Sequence, residues 1–253
     1  MRHLILCSVM WLCGLMMAVG QNVPQVIPAL QQWKSAKGKL VLPETGKVIV
    51  SLDEEIELKG EAEILVQDLK EMFGWEYSVV VGKKEKGIVY LTLGKPDKTL
   101  GEEGYRMNIQ GEVTIEAPTS KGVFWGTRTL LQMLHNQPEG LMKGRATDFP
   151  LYPNRGFMID VGRKFFTMDY LRDYVKILSF YKMNELQVHL NDNGFVEFFD
   201  NDWNKTYAAF RLESERFPGL TAKDGSYTKE EFRDFQIMAA RYGVNVIPEI
   251  DVP

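Results

Sequence analysis

Residues 156–190 read GFMIDVGRKFFTMDYLRDYVKILSFYKMNELQVHL. The stretch begins with an apolar run at 156–161, continues with apolar residues at helical spacing over 168–181, and ends with a second apolar run at 185–190. Short apolar runs indicate buried strands, whereas apolar residues that recur every three or four positions indicate an amphipathic helix. The stretch therefore predicts a strand, a helix and a second strand in that order.

The same alternation continues toward residue 250. Residues 228–242 predict another helix, opened by Thr228 as N-cap with Glu231 three residues later, and residues 244–250 predict a third strand. Alternating strands and helices indicate a parallel sheet with helical crossovers. An open sheet of this kind often carries a glycine-rich phosphate loop, but residues 82–87 have P-loop spacing with Ile88 where the lysine belongs. Three βα units do not decide between an open sheet and a closed barrel, but without such a loop we favour an α/β fold of the TIM (β/α)8 barrel type.

Residues 21–150 have a different pattern. Short β-prone runs at 47–52 and 88–93 flank a predicted helix at 61–73, and alternating residues over 105–117 predict a hairpin. A second helix is predicted at 123–134, and residues 136–154 contain proline and glycine without sustained periodicity, which predicts a linker. The sequence therefore predicts a small α+β domain at 21–150, followed by the start of the barrel at 151–253.

The first twenty residues predict an export signal. Arg2 and His3 precede an apolar stretch at 4–19, and small residues lie before Gln21 where signal peptidase cuts. A membrane anchor is the alternative, but it needs about twenty apolar residues. We expect a signal peptide at 1–20 and a periplasmic or extracellular mature protein without a membrane span. Cys7 and Cys13 both lie in this segment, so the mature chain is expected to have no disulfide.

The charge pattern does not indicate a charged partner. The formal net charge is −4, and residues of both signs are mixed along the chain. A nucleic-acid-binding protein usually has a basic patch or stripe, and this sequence has none. No dinucleotide-binding motif follows a predicted strand either. We therefore expect neither a nucleic acid partner nor a cofactor.

Ionisable residues lie at the end of each predicted barrel strand. Asp160 ends the first strand, His189 and Asp192 follow the second, and Glu249 and Asp251 follow the third. Because the carboxyl ends of parallel strands meet at one edge, we expect these side chains to lie close together. A single Asp after a strand is more often a turn former, but three such ends indicate a site. For His189, a core histidine with satisfied hydrogen bonds is an equal alternative.

These residue types suit two kinds of site. Histidine and carboxylates can ligate a metal, but no H-E-x-x-H motif or cysteine spacing supports a metal centre. Carboxylates, amides and an imidazole also suit the hydroxyl-rich face of a sugar, which takes many directional hydrogen bonds. Aromatic residues at 195–210 add faces that can pack against sugar rings, or that simply pack the loop onto the barrel. We predict a sugar-binding pocket and no metal.

Three motifs resemble family 20 of the glycoside hydrolases. RGFMIDVGRKF at 155–165 resembles the R-G-x-x-x-D-x-x-R-x-[FY] sequence that opens the barrel in that family. YKMN at 181–184 with HLND at 189–192 is similar to the family's Y-K-x-N and H-L-x-D, and PEIDVP at 248–253 is similar to P-E-x-D-x-P. Residues 121–134 resemble the closing helix of the α+β domain that precedes this barrel. The resemblance covers nearly the whole mature chain.

The resemblance implies β-N-acetylhexosaminidase activity on glycans. In this family the acetamido oxygen of the substrate attacks the anomeric carbon with retention, while an Asp orients the acetamide and a Glu is general acid and base. Arg155 corresponds to the arginine that binds sugar hydroxyls, and Asp192 and Glu249 correspond to polar residues that support the pocket. The resemblance also makes the three predicted βα units the first three of an incomplete TIM (β/α)8 barrel, and it places the Asp-Glu pair after a fourth strand. We therefore expect it beyond Pro253, and we expect residues 1–253 to be inactive alone.

One departure from the family pattern leaves alternatives open. The family usually has a second acid and a tryptophan-containing stretch where this chain has NGFV at 193–196, so the linkage preference stays open. A hexosaminidase is the first hypothesis. Another glycosidase with a small domain and a barrel, such as an α-glucuronidase or a family 84 N-acetylglucosaminidase, is the second. The third is a truncated barrel that at most binds glycans.

Overall fold

The computed structural model describes residues 23–203, 205 and 208–252. The predicted signal peptide at 1–20, with Cys7 and Cys13, lies outside the described residues. The chain divides into two compact units, of which unit 1 ends at Phe149 and unit 2 begins at Pro150. Within the described ranges, no helix combines the length and apolar character that crossing a membrane requires.

Unit 1 is a mixed sheet with two helices in its described part. The strands are β1 (Gln32–Leu40), β2 (Thr45–Val50), β3 (Glu76–Val81), β4 (Val89–Leu93), β5 (Tyr105–Ile109), β6 (Val113–Ala117) and β7 (Leu141–Asp148). The helices are α1 (Glu55–Phe73) and α2 (Ser120–Asn136). The strand order is β1-β7-β5-β6-β4-β2-β3. Strands β3, β2, β4 and β6 are parallel, whereas β5, β7 and β1 continue the sheet with antiparallel pairs.

The core of unit 1 is formed by the apolar faces of α1 and α2 and by alternate residues of the sheet. On α1, Leu58, Leu65 and Leu69 recur at helical spacing and are buried. On α2, Val123 and Leu130 are likewise buried. This spacing gives each helix one apolar stripe, which becomes stable only when it packs against other apolar groups.

A charged pair lies in the same core. The guanidinium of Arg128 on α2 is 2% exposed, and its Nη1 donates to Oδ2 of Asp68 on α1 at 2.5 Å. The Arg128 guanidinium also lies 4.5 Å from the centre of the Phe124 ring. Because an unpaired charge at this depth would lose its hydration without compensation, each member of the pair requires the other. The pair joins α1 to α2.

Unit 2 has a three-stranded parallel sheet in its described part. The strands β8 (Gly156–Asp160), β9 (Glu185–His189) and β12 (Asn245–Glu249) are arranged in the order β12-β9-β8. Helix α3 (Met168–Phe180) connects β8 to β9, and α4 (Lys229–Arg241) precedes β12. The long segment between β9 and α4 contains a short antiparallel ribbon, β10 (Asn191–Asn193) and β11 (Ala208–Phe210), and two 3-10 turns at Val196–Phe199 and Pro218–Leu220.

Much of this local structure agrees with the sequence pattern. The predicted α/β content is confirmed, and the predicted hairpin is the antiparallel pair of β5 and β6. The capping box predicted for α4 is also present. The hydroxyl of Thr228 accepts from the backbone N–H of Glu231, and the Glu231 carboxylate accepts from the backbone N–H of Thr228.

The linker predicted at 136–154 is wrong over part of its length. Residues Leu141–Asp148 form β7, which pairs with β1 on one side and with β5 on the other. Gly144 interrupts the apolar alternation that would have predicted this strand. In the structure the ring of Trp33 lies against Gly144. A Cβ at Gly144 would be 2.4 Å from Cζ2 of Trp33. The edge strand β1 is not predicted either, because its lysines and Gly38 resemble a solvated loop.

Candidate active site

The three parallel strands of unit 2 end in Asp160, His189 and Glu249. The register pairs Asp160 with His189 and Glu249 with His189, so the three residues form one row at the carboxyl edge of the sheet. Residues paired in register point their side chains toward the same face of a sheet. The side chains of these three residues can therefore contribute to one site.

The imidazole of His189 lies between two carboxylates. Its Nδ1 is 2.9 Å from Oε2 of Glu249, and its Nε2 is 2.8 Å from Oδ2 of Asp192. Burial of the ring alone would lower the pKa of His189, but the hydrogen bonds to Asp192 and Glu249 outweigh burial and raise it above its ordinary value. A carboxylate only accepts, so a protonated ring donates at both nitrogens. His189 is thus a buried histidine with satisfied hydrogen bonds and also the centre of the cluster.

Asp192 receives hydrogen bonds from three directions. Its Oδ2 contacts His189 and also lies 2.5 Å from Nη2 of Arg163, and its Oδ1 accepts from the backbone N–H of Asn193 at 2.7 Å. Partial burial alone would raise the pKa of Asp192, but the bonds from His189 and Asn193 and the charge of Arg163 lower it overall. Asp192 is therefore ionised in the neutral pH range.

Arg163 joins two of the strand ends. Its Nη1 donates to Oδ2 of Asp160 at 2.7 Å, and its Nη2 reaches Asp192. The backbone N–H of Arg163 donates to the other oxygen of Asp160 at 2.9 Å, and the guanidinium lies 5.0 Å from the centre of the Phe195 ring. The hydrogen bond to Asp160 and the charge of Asp192 raise the pKa of Arg163. Arg163 is the permanently charged cation of the cluster.

The structure does not bring Arg155 into this cluster. Arg155 precedes β8, and its guanidinium donates to the backbone oxygens of Lys182 at 2.6 Å and of Tyr152 at 2.9 Å. Asp160 is five residues further along the strand, which corresponds to about 16 Å of extended chain. Arg155 therefore lies at the amino end of β8, and the arginine at the carboxyl end is Arg163.

Asp251 lies at the edge of the cluster through two hydrogen bonds to Asn191. Its backbone N–H donates to Oδ1 of Asn191 at 2.9 Å, and its backbone oxygen accepts from Nδ2 of Asn191 at 3.0 Å. His189, Asp192 and Asp251 each offer a ligand atom within 4.8 Å of the others, which is a spacing that a metal ion tolerates. A metal would need a lone pair on His189, but both ring nitrogens already contact carboxylates, and Arg163 already contacts Asp192.

A pocket of about 530 Å³ lies beside the cluster. Polar groups from Asp192 and Asp251 line one part of it, and Phe210, Leu220 and Val252 line another. A sugar ring has polar hydroxyl groups at its rim and apolar C–H groups on its faces, so a pocket with both kinds of wall suits it.

Exposed aromatic residues lie in the segment after β10. Phe195 is 55% exposed, Phe198 82% and Trp203 69%. They do not pack the segment into the core, so packing does not account for them. The rings of Phe195 and Phe198 lie 6.2 Å apart, and exposed aromatic side chains in such proximity are typical of binding surfaces.

The predicted set of site residues contains neither of two arginines that shape this site. Arg163 was visible in the motif at 155–165, three residues after Asp160, which is a spacing that allows contact across a turn. Arg211 lies in the long segment before α4, and it is fully buried. No motif or spacing in the sequence distinguishes Arg211 from the exposed Arg216, because the backbone oxygens of Val161 and Gly162 that it contacts lie 50 and 49 residues away in the chain.

The two units match two family descriptions in the same order. Residues 23–149 match the model of "Glycosyl hydrolase family 20, domain 2", and residues 152–253 match that of "Glycosyl hydrolase family 20, catalytic domain". The chain belongs to glycosyl hydrolase family 20. This membership confirms the resemblance carried by the three motifs, and it decides between the glycosidase families weighed from the sequence.

Curated members of family 20 are similar over large parts of the chain. A Beta-hexosaminidase of Akkermansia muciniphila is 33% identical over 159 residues, which cover 61% of this chain and 32% of that protein. A Beta-N-acetylhexosaminidase of Cellulomonas fimi is 32% identical over 174 residues, which cover 66% of this chain and 33% of that protein. The chain spans about a third of the length of these relatives.

Solved structures of family 20 enzymes share the fold. The GH20 beta-N-acetylhexosaminidase from Streptomyces coelicolor A3(2) matches with a TM-score of 0.74 and 27% identity, over 91% of this chain and 47% of that one. The D313N beta-hexosaminidase of Streptomyces plicatus, solved in complex with its product GlcNAc, matches with a TM-score of 0.75 and 27% identity. That alignment covers 91% of this chain and 46% of the other.

Proposed function

We propose that the full-length protein removes terminal N-acetyl-β-hexosamine residues from glycans by a retaining, substrate-assisted mechanism. One observation carries the proposal: in a family 20 chain, a polar cluster lies at the carboxyl edge of three parallel strands beside a pocket with polar and apolar walls. Relatives and structural neighbours named as β-hexosaminidases support the substrate class. The glycan is the proposed partner.

The sheet of unit 2 is best interpreted as the beginning of a (β/α)8 barrel. Its strands follow one another in the sheet in the order in which they occur in the chain, all parallel, and helices lie between them. In such barrels the site lies at the carboxyl ends of the strands. The row of Asp160, His189 and Glu249 occupies that position.

In this proposal the cluster binds and orients the sugar. The guanidinium of Arg163 donates to both Asp160 and Asp192. Because Arg163 is the arginine of the cluster, it takes in this proposal the hydroxyl-binding role that the resemblance assigns to Arg155. Asp192 and Glu249 fix the imidazole of His189 between them. Binding groups held in fixed positions bring a substrate into a productive orientation and thereby lower the barrier.

The charge of the cluster favours the proposed intermediate. Two cations, Arg163 and protonated His189, face four carboxylates, which come from Asp160, Asp192, Glu249 and Asp251. The acetamido oxygen forms a bond to the anomeric carbon as the bond to the leaving oxygen breaks, and the resulting oxazolinium is a cation. A fixed excess of negative charge stabilises a cation that develops beside it.

The general acid of this mechanism is expected from another part of the full-length protein. By resemblance, an adjacent Asp-Glu pair follows a fourth strand, with Asp orienting the acetamide and Glu moving the proton to and from the glycosidic oxygen. Between residues 150 and 252 no Asp is directly followed by Glu. The described cluster therefore supplies binding and charge, and the pair supplies proton transfer.

We also propose that the protein is exported. The basic start, the apolar stretch at 4–19 and the small residues before Gln21 support a cleaved signal peptide. Edman sequencing of the protein from its native source should begin at Gln21. A native chain that retains Met1 would contradict the proposal.

Hydrolysis assays on the full-length protein test the function. A chromogenic N-acetyl-β-glucosaminide should be hydrolysed with retention, whereas the matching β-glucoside should be inert because it lacks the acetamido oxygen that forms the new bond. A polypeptide limited to residues 21–253 should be inactive on both, since it lacks the Asp-Glu pair. Equal hydrolysis of the two substrates, or hydrolysis with inversion, would contradict the proposed mechanism.

A further inference from the structure

Arg211 is a buried arginine in the long segment between β9 and α4. Its side chain is 0% exposed, and each of its five N–H groups has an acceptor. Nε donates to the backbone oxygen of Val161 at 2.7 Å, and Nη2 donates to that of Gly162 at 2.9 Å and to Asp224. Nη1 donates to the backbone oxygen of Gly225 at 2.9 Å and to Asp224 at 2.5 Å. A buried guanidinium with all donors used has one fixed geometry.

Val161 and Gly162 directly precede Arg163. Their carbonyl groups are held by Arg211, and their N–H groups both donate to the backbone oxygen of His189, at 3.1 and 3.0 Å. A Cβ at Gly162 would lie 2.8 Å from the backbone nitrogen of Asp192, so the turn packs tightly against that residue. The two peptide groups before Arg163 are therefore fixed from both sides.

We infer that Arg211 is a positioning residue that holds the turn at Val161 and Gly162, so that Arg163 contacts both Asp160 and Asp192. Its effect on hydrolysis rests on the proposed function of the site. No direct contact is required between Arg211 and a substrate, because Arg211 acts through the backbone that carries Arg163. Phe165 and Gly225 extend the same arrangement: the ring of Phe165 lies 5.5 Å from the Arg211 guanidinium and also packs against Gly225.

The backbone of Arg211 is held independently of its side chain. Its N–H donates to the oxygen of Leu190 at 2.9 Å, and its oxygen accepts from the N–H of Tyr227 at 2.7 Å. Substitution of the side chain therefore removes the bonds to Val161 and Gly162 and leaves the path of the segment in place. This separation makes the positioning role testable apart from folding.

A double-mutant cycle in the full-length protein tests the inference. Arg211→Lys keeps the charge but cannot reproduce five donors in a plane, so kcat/KM on the chromogenic hexosaminide should fall by about tenfold or more, because small displacements of a binding group are costly. In an Arg163→Lys background, the same substitution should change kcat/KM by less than about twofold, since coupled residues do not act additively.

The matched control is Arg128→Lys. Arg128 is a buried arginine paired with Asp68 in unit 1, so this variant should also lower the melting temperature. Its kcat/KM should stay within about twofold of the unsubstituted protein, because the contacts of Arg128 to Asp68 and Phe124 lie in unit 1 and not in the cluster. Equal losses of activity in Arg128→Lys and Arg211→Lys would show a general effect of destabilisation and would overturn the inference.

A second measurement does not depend on activity. If the Arg163 guanidinium moves away from Asp192 in Arg211→Lys, more negative charge faces the His189 ring, and the pKa of His189 should rise further. Histidine NMR titration measures this shift, with His189→Gln to assign the signal. If the full-length protein hydrolyses no hexosaminide, the proposed function fails while the titration still tests Arg211. A His189 titration unchanged in Arg211→Lys, or additive losses in the cycle, would overturn the inference.

Discussion

Asp192 connects the two cations of the site, so its charge affects both. In Asp192→Asn, the amide keeps the shape but removes the negative charge between His189 and Arg163. The pKa of His189 should fall toward its ordinary value because one of its two charged partners is lost. A hydrogen bond to a charged group contributes about 1.5–3 kcal/mol, so kcat/KM should fall by about 10- to 100-fold. Hydrolysis kinetics of the full-length variant and histidine NMR measure the two effects.

The control for this substitution is an aspartate in an exposed pair. Asp169 lies in the first turn of α3 with its side chain 90% exposed, and it pairs with Arg172 at 2.8 Å. Exposed ion pairs contribute little, so Asp169→Asn should leave kcat/KM within about twofold. If the two variants lost activity equally, the special role of Asp192 would be refuted.

Protonation of His189 makes stability depend on pH. Its folded-state pKa is raised above the value of about 6.5 expected in the unfolded chain. The stabilising contribution is therefore fully present below the unfolded pKa and is lost as the pH rises through the folded pKa. Urea unfolding at a series of pH values should show a decline above about pH 6.5 that is absent in His189→Gln. The decline should persist in His135→Gln, because His135 is exposed.

At the residue scale, the sequence predicts which strand ends carry charge but not which arginine joins them. Asp160, His189 and Glu249 were predictable because strand ends in a parallel sheet meet at one edge. Arg155 and Arg163 belong to one motif, and their difference arises from the length of β8, which separates them along the chain. The direction of the Arg163 side chain depends on how the turn before it packs against other parts of the chain. A short sequence motif carries no information on that packing.

At the element scale, β7 depends on a glycine that its neighbour requires. Gly144 lies under the ring of Trp33, and an added Cβ would be 2.4 Å from that ring. Gly144→Ala should therefore lower the free energy of unfolding by about 1–3 kcal/mol, the usual cost of overpacking. Denaturant unfolding followed by tryptophan fluorescence measures the change.

A second glycine gives the opposite expectation. Gly60 lies inside α1, and a Cβ there would have no heavy atom within 4 Å. Gly60→Ala should raise the free energy of unfolding by about 0.5–1 kcal/mol, because alanine loses less backbone entropy in a helix. A destabilised Gly60→Ala together with a neutral Gly144→Ala would contradict the assigned packing of β7 and α1.

Elements with a strong local pattern were predictable, and those that depend on distant partners were not. The capping box of α4 is recognisable from Thr228 and Glu231, and α2 is recognisable from its stripe of apolar residues. Strands β1 and β7 lack such a pattern because Gly38 and Gly144 interrupt the alternation of apolar residues. Their pairing is a long-range property, since they form one antiparallel pair although about a hundred residues separate them.

At the scale of the whole molecule, the sequence predicts the family better than it predicts the connections within the site. The motifs at 155–165, 181–192 and 248–253 agree with the family matches. The role inferred for Arg211 arises only in three dimensions, because Val161, Gly162 and Gly225 come from different parts of the chain. A closed barrel stays a prediction for the full-length protein.

The two units differ in how completely each buries its own apolar surface. Unit 1 encloses large side chains such as Trp125, 2% exposed, whereas Phe157, Met158 and Ile247 on the sheet of unit 2 are 47%, 51% and 39% exposed. Apolar side chains that stay exposed destabilise an isolated polypeptide and bind hydrophobic dyes. Residues 23–149 expressed alone should therefore unfold cooperatively in urea with little binding of the dye ANS. Residues 150–253 alone should bind ANS strongly and unfold over a broad transition, because the burial of further apolar surface is missing.

The two polypeptides serve as controls for each other, with circular dichroism to follow unfolding. A sharp transition without ANS binding for residues 150–253 would show that unit 2 is stable without further strands, and would contradict its interpretation as part of a larger barrel.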